Sequence, residues 1–170
     1  MKARLMVVVL AALALSLGLA VEAANADRPT ITSSTSFFPP SNATPITAAC
    51  GFTVLQTFTL NRTIITFRDD SGTVTRQIRH VSFDGSLIDA ATREALPWRG
   101  VWTQTLDVAA GTVTIDGLRQ EVQLPGQPPA VMQVGHLVLS STGSLESPLF
   151  DSGRADFVDF WNGVCPVFGN

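Results

Sequence analysis

The residues best suited to chemistry in this chain are two tryptophans and three basic side chains. Trp98 and Trp102 are four positions apart, so an extended strand places both on one face. Arg76, His80 and Arg119 lie on segments predicted to be nearby strands. An interior that is aromatic at one end, with an arginine at the other, could hold a small amphipathic ligand, because ligand pockets are mostly apolar with few polar groups. The competing interpretation, which the sequence alone favours, is that the tryptophans fill the core and the basic side chains face water.

Motifs for other kinds of site are missing. His80 and His136 are the only histidines, and neither lies in a His-x-His pattern, so each is interpreted as a strand-face residue and no metal or cofactor is expected. No Gly-x-Ser-x-Gly elbow is present, which argues against a serine hydrolase. Residues 69–72 read Asp-Asp-Ser-Gly, which lacks the later ligands of a calcium loop and predicts a hairpin turn instead. No catalytic residue is predicted.

Charge argues against two classes of partner. The chain has 11 Lys and Arg against 14 Asp and Glu, for a formal net charge of −3. Lys2 is the only lysine, and the arginines are scattered rather than clustered. A mildly acidic protein without a basic run is a poor candidate for binding nucleic acid or an anionic membrane surface.

The N-terminus predicts export. Lys2 and Arg4 precede an apolar run over residues 5–21, and residues 24–26 read Ala-Asn-Ala, so residues 1–26 are interpreted as a signal peptide cleaved near Ala26. The alternative is a membrane anchor, although a run of about 17 residues is the lower limit for spanning a bilayer. No second long apolar run follows, so we expect a secreted protein with no integral membrane segment in the mature chain.

Residues 27–49 are rich in Ser, Thr, Pro, Asn and Ala. Such a segment buries too little apolar surface to offset its ordering entropy, so it is predicted to be a flexible, extended or disordered leader. Phe37 and Phe38 are the exception, and could cap one end of the folded domain.

The two cysteines, Cys50 and Cys165, lie near the two ends of the predicted domain. In an exported chain they are most simply one disulfide, the alternative being two free thiols.

Residues 50–168 are predicted to form one all-β domain. Alternating apolar and polar residues, separated by Gly, Asp, Ser and Pro turns, predict strands, and a parity change at Asp116-Gly117 predicts a β-bulge. Gly100, between the tryptophans, predicts a bend or a close backbone approach. Phe157, Val158 and Trp161 recur at helical spacing and predict a short C-terminal helix over residues 154–162, with Asp151 or Ser152 as its N-cap. The predicted strands cover residues 50–60, 62–69, 73–83, 95–108, 112–124, 131–140 and 144–151.

Short turns between long strands predict an antiparallel meander of seven or eight strands. Glycines within strands and a bulge favour closure of this meander into a barrel over a two-sheet sandwich, since they let a sheet curve strongly.

The arrangement also resembles a group of small secreted bacterial β-barrel proteins. The resemblance rests on Cys-Gly-Phe at residues 50–52, Asp-Ser-Gly at 70–72, Asp-x-x-Thr at 89–92 and a single cysteine near the C-terminus. It implies a barrel but no activity, because the group has no established activity to transfer. The predicted shape is similar in kind to calycin, allene oxide cyclase and dirigent barrels, a likeness that does not imply a function.

Three functions stay open at this point. The first is a secreted, disulfide-closed β-barrel without catalytic activity that binds a small apolar or aromatic ligand through Trp98, Trp102, Arg76, His80 and Arg119. The second is a cyclase or isomerase that uses the same cavity. The third is an extracellular module that binds a partner through the leader and exposed strand edges. The sequence leaves enzymatic activity uncertain and favours binding over catalysis.

Overall fold

The structure is a computed structural model that describes residues 28–124, 126–142, 148–154 and 157–169. The predicted signal peptide, residues 1–26, lies outside the described residues. Residues 144–147 of the predicted last strand and residues 155–156 of the predicted helix also lie outside them.

Seven strands and two short α-helices make up the described chain. The order is β1 (Thr30–Asn42), α1 (Thr44–Cys50), β2 (Val54–Arg68), β3 (Val74–Asp89), β4 (Ala95–Asp107), β5 (Thr112–Gln123), β6 (Pro129–Ser140), β7 (Phe150–Arg154) and α2 (Phe157–Val164), followed by a 3₁₀-helix (Cys165–Phe168).

All seven strands form one antiparallel sheet in chain order, which confirms the predicted meander. The sheet does not close, because within the described residues β1 and β7 are its two edges and do not pair. The prediction of a closed barrel is therefore wrong for this structure. The sheet stays open because β1 pairs with the free edge of β2, which a closed barrel starting at β2 would have paired with its last strand. The five-residue strand β7 forms the opposite edge.

Strand β1 comes from the segment predicted to be a flexible leader. Its backbone pairs with β2 from Thr30 opposite Thr66 to Asn42 opposite Leu55, with an irregularity at the two prolines. All of its residues are exposed, so main-chain pairing with β2 is its main support, to which the contact of Phe38 with Phe58 adds. Helix α1 follows, and its Ile46 is buried, so this segment is part of the fold.

Strand β2 joins two segments that were predicted as separate strands. Asn61 and Arg62 continue the pairing with Ser82 and Val81 on β3 without interruption, so no turn forms there. The hairpin predicted after it is present, because the amide of Gly72 donates to the carbonyl oxygen of Asp69 at 2.8 Å.

The helices close one end of the curled sheet. Phe160, Val164 and Phe168 are buried against strand residues that point inward. They form one cluster with buried residues of the strands, of α1 and of the position just before α1. These other members are Ala43, Ile46, Val54, Leu87, Leu96 and Val122. The predicted helix exists but begins at Phe157, because Asp151 and Ser152, the predicted N-caps, belong to β7.

The disulfide is confirmed. Cys50 ends α1 and Cys165 begins the 3₁₀-helix, and their Cα atoms are 5.2 Å apart. The bond joins the two helical segments that cover this end of the sheet.

Candidate functional site

The concave face of the sheet contains a cavity of about 520 Å³. Side chains from five neighbouring strands, β2 to β6, line it, so the cavity extends across the concave face of the open sheet. The lining is mainly aromatic and aliphatic: Phe58, Leu60, Phe83, Trp98, Trp102, Gln104, Ile115, Arg119, Gln120 and Leu139.

Four of these residues form a connected aromatic cluster. The ring of Phe83 lies 4.5 Å from that of Trp98 and 6.1 Å from that of Trp102, measured between centroids. Phe58 meets Trp98 edge to face at 5.5 Å, and Phe38 of β1 stacks on Phe58 at 4.5 Å. Such edge-to-face and stacked pairs add stability beyond area burial, so this wall of the cavity is held in a defined shape.

Arg119 enters the cavity because of a β-bulge. Leu118 pairs with Val134 and Gln120 pairs with Gln133, which leaves Arg119 as an extra residue in β5. The pairing with β4 shifts at the same place. A bulge places two consecutive side chains on roughly the same face, so both Arg119 and Gln120 line the cavity. A bulge was predicted in this strand, but two residues earlier, at Asp116-Gly117.

Gly100 provides the room for this bulge. It pairs with Phe83, and a Cβ atom at this position would overlap the carbonyl oxygen of Arg119 and the Phe83 ring. The close backbone approach predicted at Gly100 is therefore present. Only glycine lets the bulged strand and the aromatic ring lie side by side.

A row of glycines crosses the concave face beyond Trp102. Gly117, Gly135 and Gly153 are register partners on β5, β6 and β7. A Cβ atom on Gly153 would lie 2.6 Å from the Cα atom of Gly135, far inside contact distance. These strands therefore approach without side chains between them, which permits the strong curvature next to the cavity.

Few polar groups line the described part of the cavity, and Arg119 and Gln120 are the buried ones. Arg119 is 7% exposed, and its Nη2 lies 3.9 Å from Oδ1 of Asp151 on β7. Burial lowers the pKa of the Arg119 guanidinium, whereas the Asp151 carboxylate raises it. The buried Trp98 Nε1 atom has no hydrogen-bond acceptor among the described residues. Gln120 donates from Nε2 to Oε1 of the fully buried Gln133 at 3.1 Å.

Three of the five predicted ligand-binding residues lie together and two do not. Trp98, Trp102 and Arg119 line the cavity. Arg76 and His80 alternate with inward positions of β3 such as Val81, so they lie on the outer face. The Arg76 guanidinium sits 4.3 Å above the ring centroid of Phe67. These two residues therefore lie away from the cavity, because side chains one residue apart in a strand point to opposite faces.

Both histidines belong to one polar row that crosses the outer face of all seven strands. His80 Nδ1 lies 3.1 Å from Thr103 Oγ1, and His136 Nδ1 lies 2.5 Å from Asp116 Oδ1. Each is a strand-face residue, as predicted. Within the described residues, no group of three or more His, Cys, Asp or Glu is placed to hold a metal ion. The row consists of Ser33, Thr63, His80, Thr103, Asp116, His136 and Ser152.

Several cavity residues were not singled out from the sequence. Phe58 and Phe83 occupy inward positions in the alternating patterns of β2 and β3. Pairing these strands with β4 in the correct register would have predicted that both residues lie next to the tryptophans. Gln104 and Gln120 carry no such signal, because an inward glutamine looks like a solvent-facing residue in a strand pattern.

Comparison with protein-family models, curated proteins and solved structures finds no match to this chain. The resemblance to small secreted bacterial barrels thus stays a prediction. Among the described helices, none has the length and apolar character to cross a membrane.

The chemistry open to the site follows from its lining. Among the described lining residues there is no carboxyl, imidazole, thiol or hydroxyl group, and the only charged group is the Arg119 guanidinium. A guanidinium stays protonated in proteins, so it donates hydrogen bonds and does not shuttle protons. The described lining therefore presents one cationic hydrogen-bond donor within a mainly aromatic and aliphatic surround.

Proposed function

We propose that this protein is secreted and binds a small apolar or aromatic ligand in the cavity of its curled sheet, without catalysing a reaction. The observation that carries the proposal is the cavity itself. Its volume of about 520 Å³ falls within the range of about 300–1,000 Å³ that is typical of small-molecule sites. Its lining also has the typical composition, a mostly apolar surface with a small number of polar groups.

Export is supported by two observations. The intramolecular disulfide between Cys50 and Cys165 suits an oxidising compartment, and the N-terminal sequence matches a signal peptide.

An enzyme of the cyclase or isomerase type is the weaker candidate. Moving a proton requires a group that can both gain and lose it near neutral pH, which is usually a histidine or a carboxyl group. Among the described lining residues, the polar groups belong to Arg119, Gln104, Gln120 and the Trp98 indole, none of which titrates in that range. The lining therefore favours binding over catalysis.

Partner binding through the former leader is also less favoured. Strand β1 is an exposed edge on which another strand could add. Pro39 and Pro40 lie in it and remove two backbone donors, which is one of the ways in which edge strands avoid such pairing.

A pair of variants on β2 tests the binding proposal. Leu60 lines the cavity, so Leu60→Trp fills it, whereas Thr59→Trp adds the same side chain on the outer face one residue away. Isothermal titration calorimetry with decanoate, decanol and indole as probes measures binding to each variant and to the wild-type chain. We expect saturable binding of at least one probe to wild type and to T59W, and its loss in L60W.

Two results would count against the proposal. One is that none of the probes binds wild type up to its solubility limit. The other is that L60W, still folded by circular dichroism, binds as tightly as T59W, which would place the ligand outside the cavity.

A further inference from the structure

The end of the cavity away from the helices has a further arginine beside it, Arg79. This inference rests on the proposed function and concerns the group that the ligand carries at this end. Trp98 packs against the apolar cluster that the helices cover, so it lies at the closed end. Gln104 also lines the cavity and lies six residues further along β4, which is about 20 Å in an extended strand. Gln104 therefore marks the opposite, open end.

Arg79 lies on the concave face next to Gln104. The two residues are register partners on β3 and β4, and directly opposite side chains on one face have Cβ atoms about 4.5–5.5 Å apart. Arg79 also shares the parity of Val81 and Phe83, which are buried on this face. It is therefore half-buried just beyond the cavity lining, on the opposite face of β3 from Arg76.

Neutral groups hold this guanidinium in place. Nη2 of Arg79 donates to Oε1 of Gln77 at 2.8 Å, and Nε2 of Gln77 donates in turn to Oγ1 of Thr66 at 3.3 Å. The Nε atom of Arg79 is buried and has no hydrogen-bond acceptor among the described residues. These contacts orient the guanidinium without neutralising its charge.

No carboxylate of the described residues forms an ion pair with Arg79. Asp151, which faces the same side from β7, lies near Arg119 instead. Arg62 of β2, opposite Val81, faces the concave side one row away and adds a second positive charge. Because charges interact more strongly where water is partly excluded, an anion placed beside Arg79 would be favoured.

We propose that the ligand is amphipathic, with an acidic head group that bears carboxylate or phosphate oxygens, and that Arg79 binds this head group at the open end. The apolar body lies deeper, against the aromatic wall of Phe58, Phe83 and Trp98. A guanidinium presents paired N–H groups that match the oxygens of both acids, and the amide of Gln104 offers one more donor. The head group stays near solvent, which avoids the cost of burying its charge completely.

Probes that share one hydrocarbon chain and differ in head group test this. Decanoate, decyl phosphate and decanol are titrated by calorimetry at neutral pH into wild type, Arg79→Gln and Arg76→Gln. The last variant removes an arginine from the outer face of the same strand and is the matched control. We expect wild type and R76Q to bind at least one acid roughly fivefold to tenfold more tightly than decanol, between the ranges for an exposed ion pair and for a buried hydrogen bond to a charged group. In R79Q this preference should vanish while decanol binding is retained.

A second pair of variants keeps the test decisive if R79Q does not fold. Gln104→Glu places a carboxylate opposite Arg79, so it should remove the preference for the acids and retain decanol binding. Thr105→Glu adds the same charge on the outer face one residue away and should keep the preference.

The outcomes separate the two proposals. Wild type that binds neither acid more tightly than decanol overturns the head-group proposal and leaves the binding function standing. A preference that persists in R79Q or in Q104E also overturns it, because the head group then lies elsewhere. No binding of any probe overturns both proposals together.

Discussion

Removing the disulfide should lower the stability of the whole domain rather than loosen one end. Cys50 and Cys165 are separated by 115 residues, nearly the full length of the domain. In the loop-entropy model, a cross-link that closes a loop of this size removes enough freedom from the unfolded chain to be worth about 4.8 kcal/mol. Because engineered disulfides often deliver less than the model predicts, we expect a loss of about 3–5 kcal/mol in the Cys50→Ser, Cys165→Ser double variant.

The folded state of that variant should change little. Phe160, Val164 and Phe168 remain buried against the strand residues of the same cluster, and this apolar burial keeps the C-terminal helices in place without the covalent bond. Near-ultraviolet circular dichroism should therefore match that of wild type.

Urea unfolding at 25 °C, followed by tryptophan fluorescence, measures the difference. The free energy of unfolding should fall by the stated amount, and the m-value should rise because the unfolded chain exposes more surface once its ends are free. Wild-type protein with its disulfide reduced serves as the control and should match the double variant. A loss below about 1 kcal/mol with an unchanged m-value would refute the loop-entropy reasoning.

Three further predictions concern single sites. Gly135→Ala should lower stability by about 1–3 kcal/mol, because its Cβ would overlap the backbone of β7; a thermal-unfolding midpoint equal to that of wild type would contradict the close packing of these strands. Hydrogen bonds from Ser71 and Thr73 lower the pKa of Asp69. The hairpin should therefore gain stability from this carboxylate above its unfolded pKa of about 3.9, and lose it as the pH falls through the lower folded value. NMR titration of the carboxyl carbon measures this pKa, and a value at or above 3.9 would show the sign to be wrong. Arg99→Ala should cost about 2 kcal/mol in urea unfolding, since it leaves the carboxylate of Glu121, 3% exposed, without the guanidinium that pairs with it. A cost near zero would mean that solvent replaces Arg99 freely.

Local patterns account for the parts of the fold that the sequence predicts well. Strands β4, β5 and β6 begin and end within two residues of their predicted bounds, because alternation and Gly-rich turns are local signals. The pairing of Cys50 with Cys165 is predictable because no other pairing exists. Trp98 and Trp102 are four residues apart in one strand, so their position on a common face can also be predicted from spacing alone.

The face of β3 could not be assigned from its own residues. Polar side chains occupy both faces over Arg76 to His80, so the alternation there carries no direction. The buried positions Val81 and Phe83 settle it only once β3 is paired with β2 and β4. A one-residue change in parity moves every side chain to the other face, which is why the outer-face position of Arg76 and His80 could not be predicted from the sequence.

Long-range pairing explains the remaining differences. Strand β1 has a polar sequence with two prolines, and its pairing uses backbone groups that every residue carries, so its composition gives no strand signal. Whether a sheet closes depends on which strands meet at its two edges. That contact is between residues far apart in sequence, and alternation within a strand does not report it.

The central claim is that the cavity around Trp98 and Trp102 binds a small ligand with an apolar or aromatic body. The chain has three tryptophans, so Trp161→Phe leaves these two as the only fluorophores and makes emission report on the cavity. Titration of W161F with decanoate and, separately, with decanol should give a saturable change in emission for at least one of the two probes. An emission spectrum that stays constant up to the solubility limits of both probes would contradict the account.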